Sequence, residues 1–250
     1  MIACNSQQLI SINRSKEYDN LIFNNIYYKE ELQNKIFTKE EVDISKFPII
    51  EFKGYVNCVN GFNDCAMICD DIIKEVENSD HKEILIGFDL EWPFNFHTGS
   101  GKTALTQICF NETICYLLHI YSLKKLPAAF VILLSHPKVR LVGVNIKNDI
   151  WKLGRDFKEF PASKIVENNC IDTGKFANEI LNRSCRWSLD KLTAYLLKRK
   201  LNKDPKVRKS KWHLYPLNNE QKIYAATDAY VSWLLHTIIQ KQADIKKNMI

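Results

Sequence analysis

Asp89 and Glu91 end the run Ile84-Leu85-Ile86-Gly87-Phe88-Asp89-Leu90-Glu91-Trp92, an apolar segment with acids at i and i+2. Side chains of a strand alternate between faces, so a strand here sets both carboxylates on one face. Such acids repel each other and lose hydration unless a metal, a proton or a basic partner compensates them. Asp149, in Val144-Asn145-Ile146-Lys147-Asn148-Asp149-Ile150-Trp151, falls just past an expected strand in the first turn of the next helix, where α/β proteins commonly bind ligands. Compensation of the helix dipole would explain it equally. Asp228, in Tyr224-Ala225-Ala226-Thr227-Asp228-Ala229-Tyr230, lies one helical turn beyond Tyr224 on the same face. Ala225 and Ala226 would let that face approach another element closely, and a hydrogen bond to Tyr224 is the plainer reading of the acid.

Together Asp89, Glu91, Asp149 and Asp228 offer four hard oxygen ligands, suited to magnesium or manganese and poorly to zinc. Four carboxylates can hold two divalent ions roughly 3.5–4 Å apart, the arrangement that displaces a phosphodiester in line. Tyr224, with an ordinary phenol pKa near 10, would then position the attacking water by hydrogen bonding.

The elements that must position these groups follow from periodicity and turn residues. Strands are expected at 49–59, 83–91, 103–110, 113–120 and 139–144, with Asn111-Glu112 as a tight turn, and a short strand centred on Ile165 before Asp172. Helices are expected at 65–76, 126–134, 147–157, 173–182, 188–198 and 218–240, with Ser188 and Asn218 as N-caps. In the first of these, Cys65, Ile68, Cys69, Ile72, Ile73 and Val76 share one face, so Cys65 and Cys69 read as core. An antiparallel start, a parallel continuation and a helical last third describe an α/β layered fold.

A chain of 250 residues with 46% apolar content can bury one good core. Residues 1–46 read as a loosely ordered leader, 47–242 as the folded domain and 243–250 as a tail. No secretory or membrane-spanning segment is evident, so no membrane partner is expected. The eight cysteines contain no CxxC pair, which points to reduced thiols rather than a zinc ribbon or disulfide framework. Net charge is +6, and eight basic residues between Lys198 and Lys211 oppose the lone Asp204. This window, with Arg208 and Lys209 near its centre, reads as a solvated loop, a nuclear-import signal or a phosphate-facing patch. Gly99-Ser100-Gly101-Lys102-Thr103 invites a phosphate-loop reading, but that pattern needs glycine where Phe96 stands and a helix where an alternating strand follows. Trp92 and Trp151 flank the acids as core residues or as surfaces against terminal bases, Trp151 being the better candidate for stacking.

Three separated motifs, Phe88-Asp89-Leu90-Glu91-Trp92-Pro93, Gly143 to Leu153, and Leu217 with Gln221 to Tyr230, resemble in order and spacing the 3′→5′ exonucleases of the DnaQ-like superfamily with a Tyr-type last motif. Within them the chain is most similar to Werner-type exonuclease domains, from about Phe47 to Ile239. The resemblance implies an RNase H-like fold, a mixed sheet flanked by helices with the four acids converging at its edge. It also implies removal of nucleotides from DNA 3′ ends with two divalent cations, nuclear work in DNA repair or replication, and Lys102 near substrate phosphates. Werner-type proteins carry a helicase beyond the exonuclease and 250 residues leave no room for one, so any helicase partner is expected on a separate chain. An RNA-trimming enzyme of the same superfamily and a catalytically weak nucleic-acid binder are the alternatives.

Overall fold

The computed structural model describes residues 43–248. Its frame is a six-stranded mixed sheet in the order β1-β6-β5-β2-β7-β8, made of β1 (Tyr55–Asn60), β2 (Ile84–Glu91), β5 (Leu105–Cys109), β6 (Ile114–His119), β7 (Val139–Gly143) and β8 (Cys170–Asp172). A small hairpin of β3 (Phe94–Asn95) and β4 (Gly99–Ser100) stands apart from it. β2, β5 and β6 form the expected antiparallel meander, while β1 joins β6, and β7 and β8 extend from β2, in parallel. The sheet and its flanking helices are the mixed α/β architecture expected for an RNase H-like domain.

The alternation along β2 divides the core. Ile86, Phe88 and Leu90 pack with one cluster that includes Cys65, Cys69 and Ile72 of α1 (Phe62–Asn78), Phe130 and Leu133 of α2 (Ala128–Ser135), Ile150 of α3 (Ile146–Asp156) and Ile165 of α4 (Ala162–Asn168). Gly87, Asp89 and Glu91 therefore face the other layer, where α5 (Thr173–Leu181), α6 (Leu189–Leu197), the short α7 (Pro205–Arg208) and the long α8 (Asn219–Asn248) lie. Helix α8 crosses β2, β5, β6 and β7. Ser188 caps α6 by accepting from the Lys191 N–H at 3.2 Å. Asn218 accepts from the Gln221 N–H at 2.8 Å while the Gln221 side chain returns the bond to the Asn218 N–H at 3.0 Å, a reciprocal cap at the start of α8.

Several expectations need correction. Ile165 is helical, because Ala162 and Ile165 turn one face of α4 into the core; the strand before α5 begins only at Cys170. The expected strand from Ile49 is confined to Tyr55–Asn60, with Ile49 in a lone bridge to Lys200. Residues 243–248, expected as a tail, continue α8, and Ala243 is buried. Of the expected leader, residues 1–42 lie outside the described residues, and Ile44–Lys46 forms a short 3-10 turn capped by Asp43. The seven described cysteines are free thiols, Cys65 and Cys69 fully buried. Among the described residues, no helix is long and apolar enough to cross a membrane.

Candidate active site

Close packing of α8 on β2 brings two of the acidic elements together. A Cβ at Gly87 would stand 2.1 Å from the Ala229 carbonyl oxygen and 2.7 Å from the Trp233 nitrogen. Only glycine admits the helix backbone at that distance. Gly87 precedes Asp89 by two residues on the same strand face, and Ala229 follows Asp228, so this contact sets Asp228 beside Asp89 and Glu91. Carboxylate oxygens of Asp89, Glu91 and Asp228 all lie within 4.8 Å of one another. The register of α8 on β2 brings them together.

Asp149 reaches the same place from the other layer. The chain leaves β7 at Gly143 and turns through Asn145 in the left-handed conformation at φ 63°, a geometry asparagine tolerates better than most residues. Asp149 then sits in the first turn of α3. It lines a cavity of about 210 Å³ with Asp89, Asp228, Tyr224, Lys203 and Arg208, although it lies outside the tight group of three.

Electrostatics in this cavity are unbalanced. Burial pushes the Asp89 carboxyl up to about 6, against a single opposing hydrogen bond from the Leu90 N–H at 2.9 Å. Burial, then the charges of Asp89 and Asp228, raise Glu91 well above the usual carboxylate range, with Arg208 opposing. Asp149 and Asp228 are raised in the same way, by burial first and Asp89 second. Tyr224 hydrogen-bonds Asp228, and burial, followed by the charges of Asp228, Glu91 and Asp89, lifts its phenol above the ordinary value. It therefore stays protonated at neutral pH, a donor rather than a base.

The basic window contributes a positioned cation. Val207 and Trp212 are buried, and the Trp212 indole N–H donates to the Arg208 carbonyl at 3.1 Å. Trp212 also packs 6.0 Å from the Tyr224 ring, so the loop is pinned beside the tyrosine with Arg208 over the acids. The other residues anticipated for substrate lie elsewhere. Lys102 donates to the carbonyls of Tyr121 at 3.1 Å and Leu123 at 2.5 Å and sits over the Phe157 ring. It faces its own fold rather than the cavity. Trp92 packs against the core with the Lys152 ammonium 4.9 Å from its ring. Trp151 is 42% exposed but borders a separate groove with Arg155, Phe160 and Lys164. Lys209 lies over the exposed Phe96 ring.

Two residues of this neighbourhood escaped the sequence reading. The glycine in Ile86-Gly87-Phe88 breaks a run of large apolar residues, and that break was the only sign of the contact with α8. Gln107 pairs directly with Asp89 across β2 and β5 and is fully buried, with both amide atoms lacking a hydrogen-bond partner. In sequence it looks like one polar residue of an alternating strand.

Residues 63–244 match the family described as "3'-5' exonuclease". The chain belongs to the 3′–5′ exonuclease family. Its members are hydrolases acting on phosphodiester bonds. Among curated relatives, a 3′–5′ exonuclease of Drosophila melanogaster is 43% identical over 201 residues, covering 80% of this chain and 57% of that protein. One from Drosophila mojavensis is 42% identical over 202 residues, covering 80% and 61%. The chain thus spans little more than half the length of the relatives it matches. Solved structures share the fold at lower identity. The Nibbler EXO domain of Aedes aegypti superimposes with TM-score 0.63 at 18% identity over 79% of this chain and 94% of that one. Trypanosoma brucei RNase D in complex with RNA U12 gives 0.57 at 17% over 75% and 63%.

Proposed function

We propose that this chain hydrolyses phosphodiester bonds stepwise from the 3′ end of DNA, with two divalent cations, magnesium or manganese, held by Asp89, Glu91, Asp149 and Asp228. The observation that carries the reading is the convergence of Asp89, Glu91 and Asp228 within 4.8 Å. Buried acids that raise one another's pKa, with Arg208 and Lys203 as the cations of their cavity, form a hard-oxygen set that fits divalent ions. When bound, the ions supply an activated water and a counter-charge for the leaving 3′-oxygen. The chain's own residues do the rest. Tyr224 keeps its proton and holds the attacking water by hydrogen bonding. Arg208, fixed through Trp212, offers its guanidinium to the scissile phosphate. The order of the three acid motifs supports a Werner-type domain, and the basic window supports DNA contact and nuclear placement in repair or replication.

A 5′-labelled duplex with a recessed 3′ end is expected to shorten one nucleotide at a time with magnesium or manganese and to survive intact in EDTA. Full digestion in EDTA would retire the metal assignment. RNA is the second reading, favoured by a solved structure of the same fold that is an RNase D in complex with RNA. Matched DNA and RNA strands digested side by side decide between them.

A further inference from the structure

The hairpin of β3 and β4, which begins three residues after Glu91, displays two aromatic rings to solvent. Phe94 and Phe96 are 48% and 80% exposed and meet edge to face with centroids 5.5 Å apart. The turn that carries them is braced. The Gly101 N–H donates to the Pro93 carbonyl at 2.8 Å, and a Cβ at Gly101 would come within 2.8 Å of the Pro93 ring. The Asn95 side chain accepts from the His97 and Thr98 N–H groups at 2.7 and 3.3 Å. Lys209 reaches over from the basic loop, its ammonium 5.2 Å from the Phe96 centroid.

We propose that Phe94, Phe96 and Lys209 form a stacking platform for unpaired bases of the substrate strand, upstream of the 3′ end held at the acids. Position, chemistry and charge support it. Phe94 follows Glu91 by three residues, so the two Cα atoms lie within about 11 Å. Successive bases stacked along a strand are about 3.4 Å apart, which places the platform a few nucleotides from the cavity. Lys209 adjoins Arg208 of the cavity wall, so one short stretch of chain touches both places. Exposed aromatic faces joined to cations match a flexible polyanion with a π-face at every unit, and such contacts tolerate any base. Lys206, Lys209 and Lys211 of the basic window are all exposed, and Lys209 brings that charge to the Phe96 ring, the sign a strand requires. The platform favours ends with an unpaired tail over blunt duplex. The inference rests on the exonuclease reading for its location relative to the reacting phosphate.

Binding tests it without cleavage. Anisotropy of a labelled ten-nucleotide single strand in EDTA is expected to show Kd rising roughly tenfold for Phe96→Ala and further for Phe94→Ala/Phe96→Ala, as loss of base stacking implies. Phe96→Trp retains the affinity, and a competing dinucleotide, too short to span from the acids to the hairpin, does not distinguish the variants. Equal Kd for the double variant and the unmodified chain would overturn the platform and leave the rings as a protein-contact surface. Stepwise cleavage of the same strand with magnesium reads the exonuclease assignment separately: ring-dependent binding without cleavage retires that reading and keeps the strand-binding platform.

Discussion

Helix α3 carries two acids about two turns apart, and they meet opposite fates. At its start, Asp149 is raised well above the usual carboxylate range by burial and by Asp89, with Lys152 opposing from a distance. At its end, Asp156 accepts from the Thr103 N–H at 2.7 Å, the Thr103 hydroxyl at 2.6 Å and the Lys152 ammonium at 3.0 Å. Burial pushes the Asp156 carboxyl up too, but these donors outweigh it and hold it below its ordinary value. Lys152 in turn donates to the Gly101 carbonyl at 2.7 Å, tying the helix to the chain that leads into β5. An acid that holds the fold together is ringed with donors. The acid proposed to serve a cation is buried beside other acids and left under-compensated. The two ends of one helix show both designs.

The contrast breaks first at the cavity. Asp228→Asn is expected to lower the cleavage rate at least about 10³-fold, the loss of several kcal/mol of charge stabilisation, yet to raise the melting temperature in EDTA at pH 8 because one repelling charge is gone. A lower melting temperature would show that the acids are structural after all. Gly87→Ala tests how the site is assembled. Its new methyl meets the Ala229 carbonyl, so α8 must shift, and misplacement of Asp228 by about 1 Å costs on the order of 10² in kcat at unchanged affinity for a single strand. Asp156→Ala addresses the opposite end of α3. It strands the buried Lys152 and is expected to cost about 3 kcal/mol, or about 10 °C in melting temperature for a domain of this size.

The pH response sharpens the same comparison. Asp89 titrates at about 6 in the fold against an ordinary 3.8; the folded state thus binds its proton more tightly than the unfolded one. That contribution to stability is complete below the ordinary value and is lost as pH rises through about 6. Stability in EDTA, followed by urea titration between pH 4 and 7, falls with rising pH through this window, and added magnesium removes the fall. The smallest effect belongs to the surface. Lys209→Glu weakens single-strand binding and lowers the salt slope by about one.

Much of the domain was legible because its signals are local. Alternation over 84–91, the turn at Asn111, the Cys65 and Cys69 face and the caps at Ser188 and Asn218 depend on neighbours a few residues away. The misreadings came where burial overrides propensity. Ile165 and Val166 suggest a strand, but packing of Ala162 and Ile165 into the core makes the segment helical. Lys102 sits in a motif that suggested phosphate contact, yet carbonyls brought by Tyr121 and Leu123 capture it first. The basic window looked like one patch, whereas only Lys203 and Arg208 of it line the cavity, Arg208 beside the buried Trp212 that bonds its carbonyl.

By itself the sequence determined which residues could bind a cation, that Asp89 and Glu91 share a strand face and that Tyr224 and Asp228 share a helix face. Those follow from period and spacing within single elements. Only the tertiary structure decided that the two faces meet. That depends on a bare backbone at Gly87 under Ala229, and on the crossing of α8 over β2, contacts between residues more than a hundred positions apart that no local periodicity encodes.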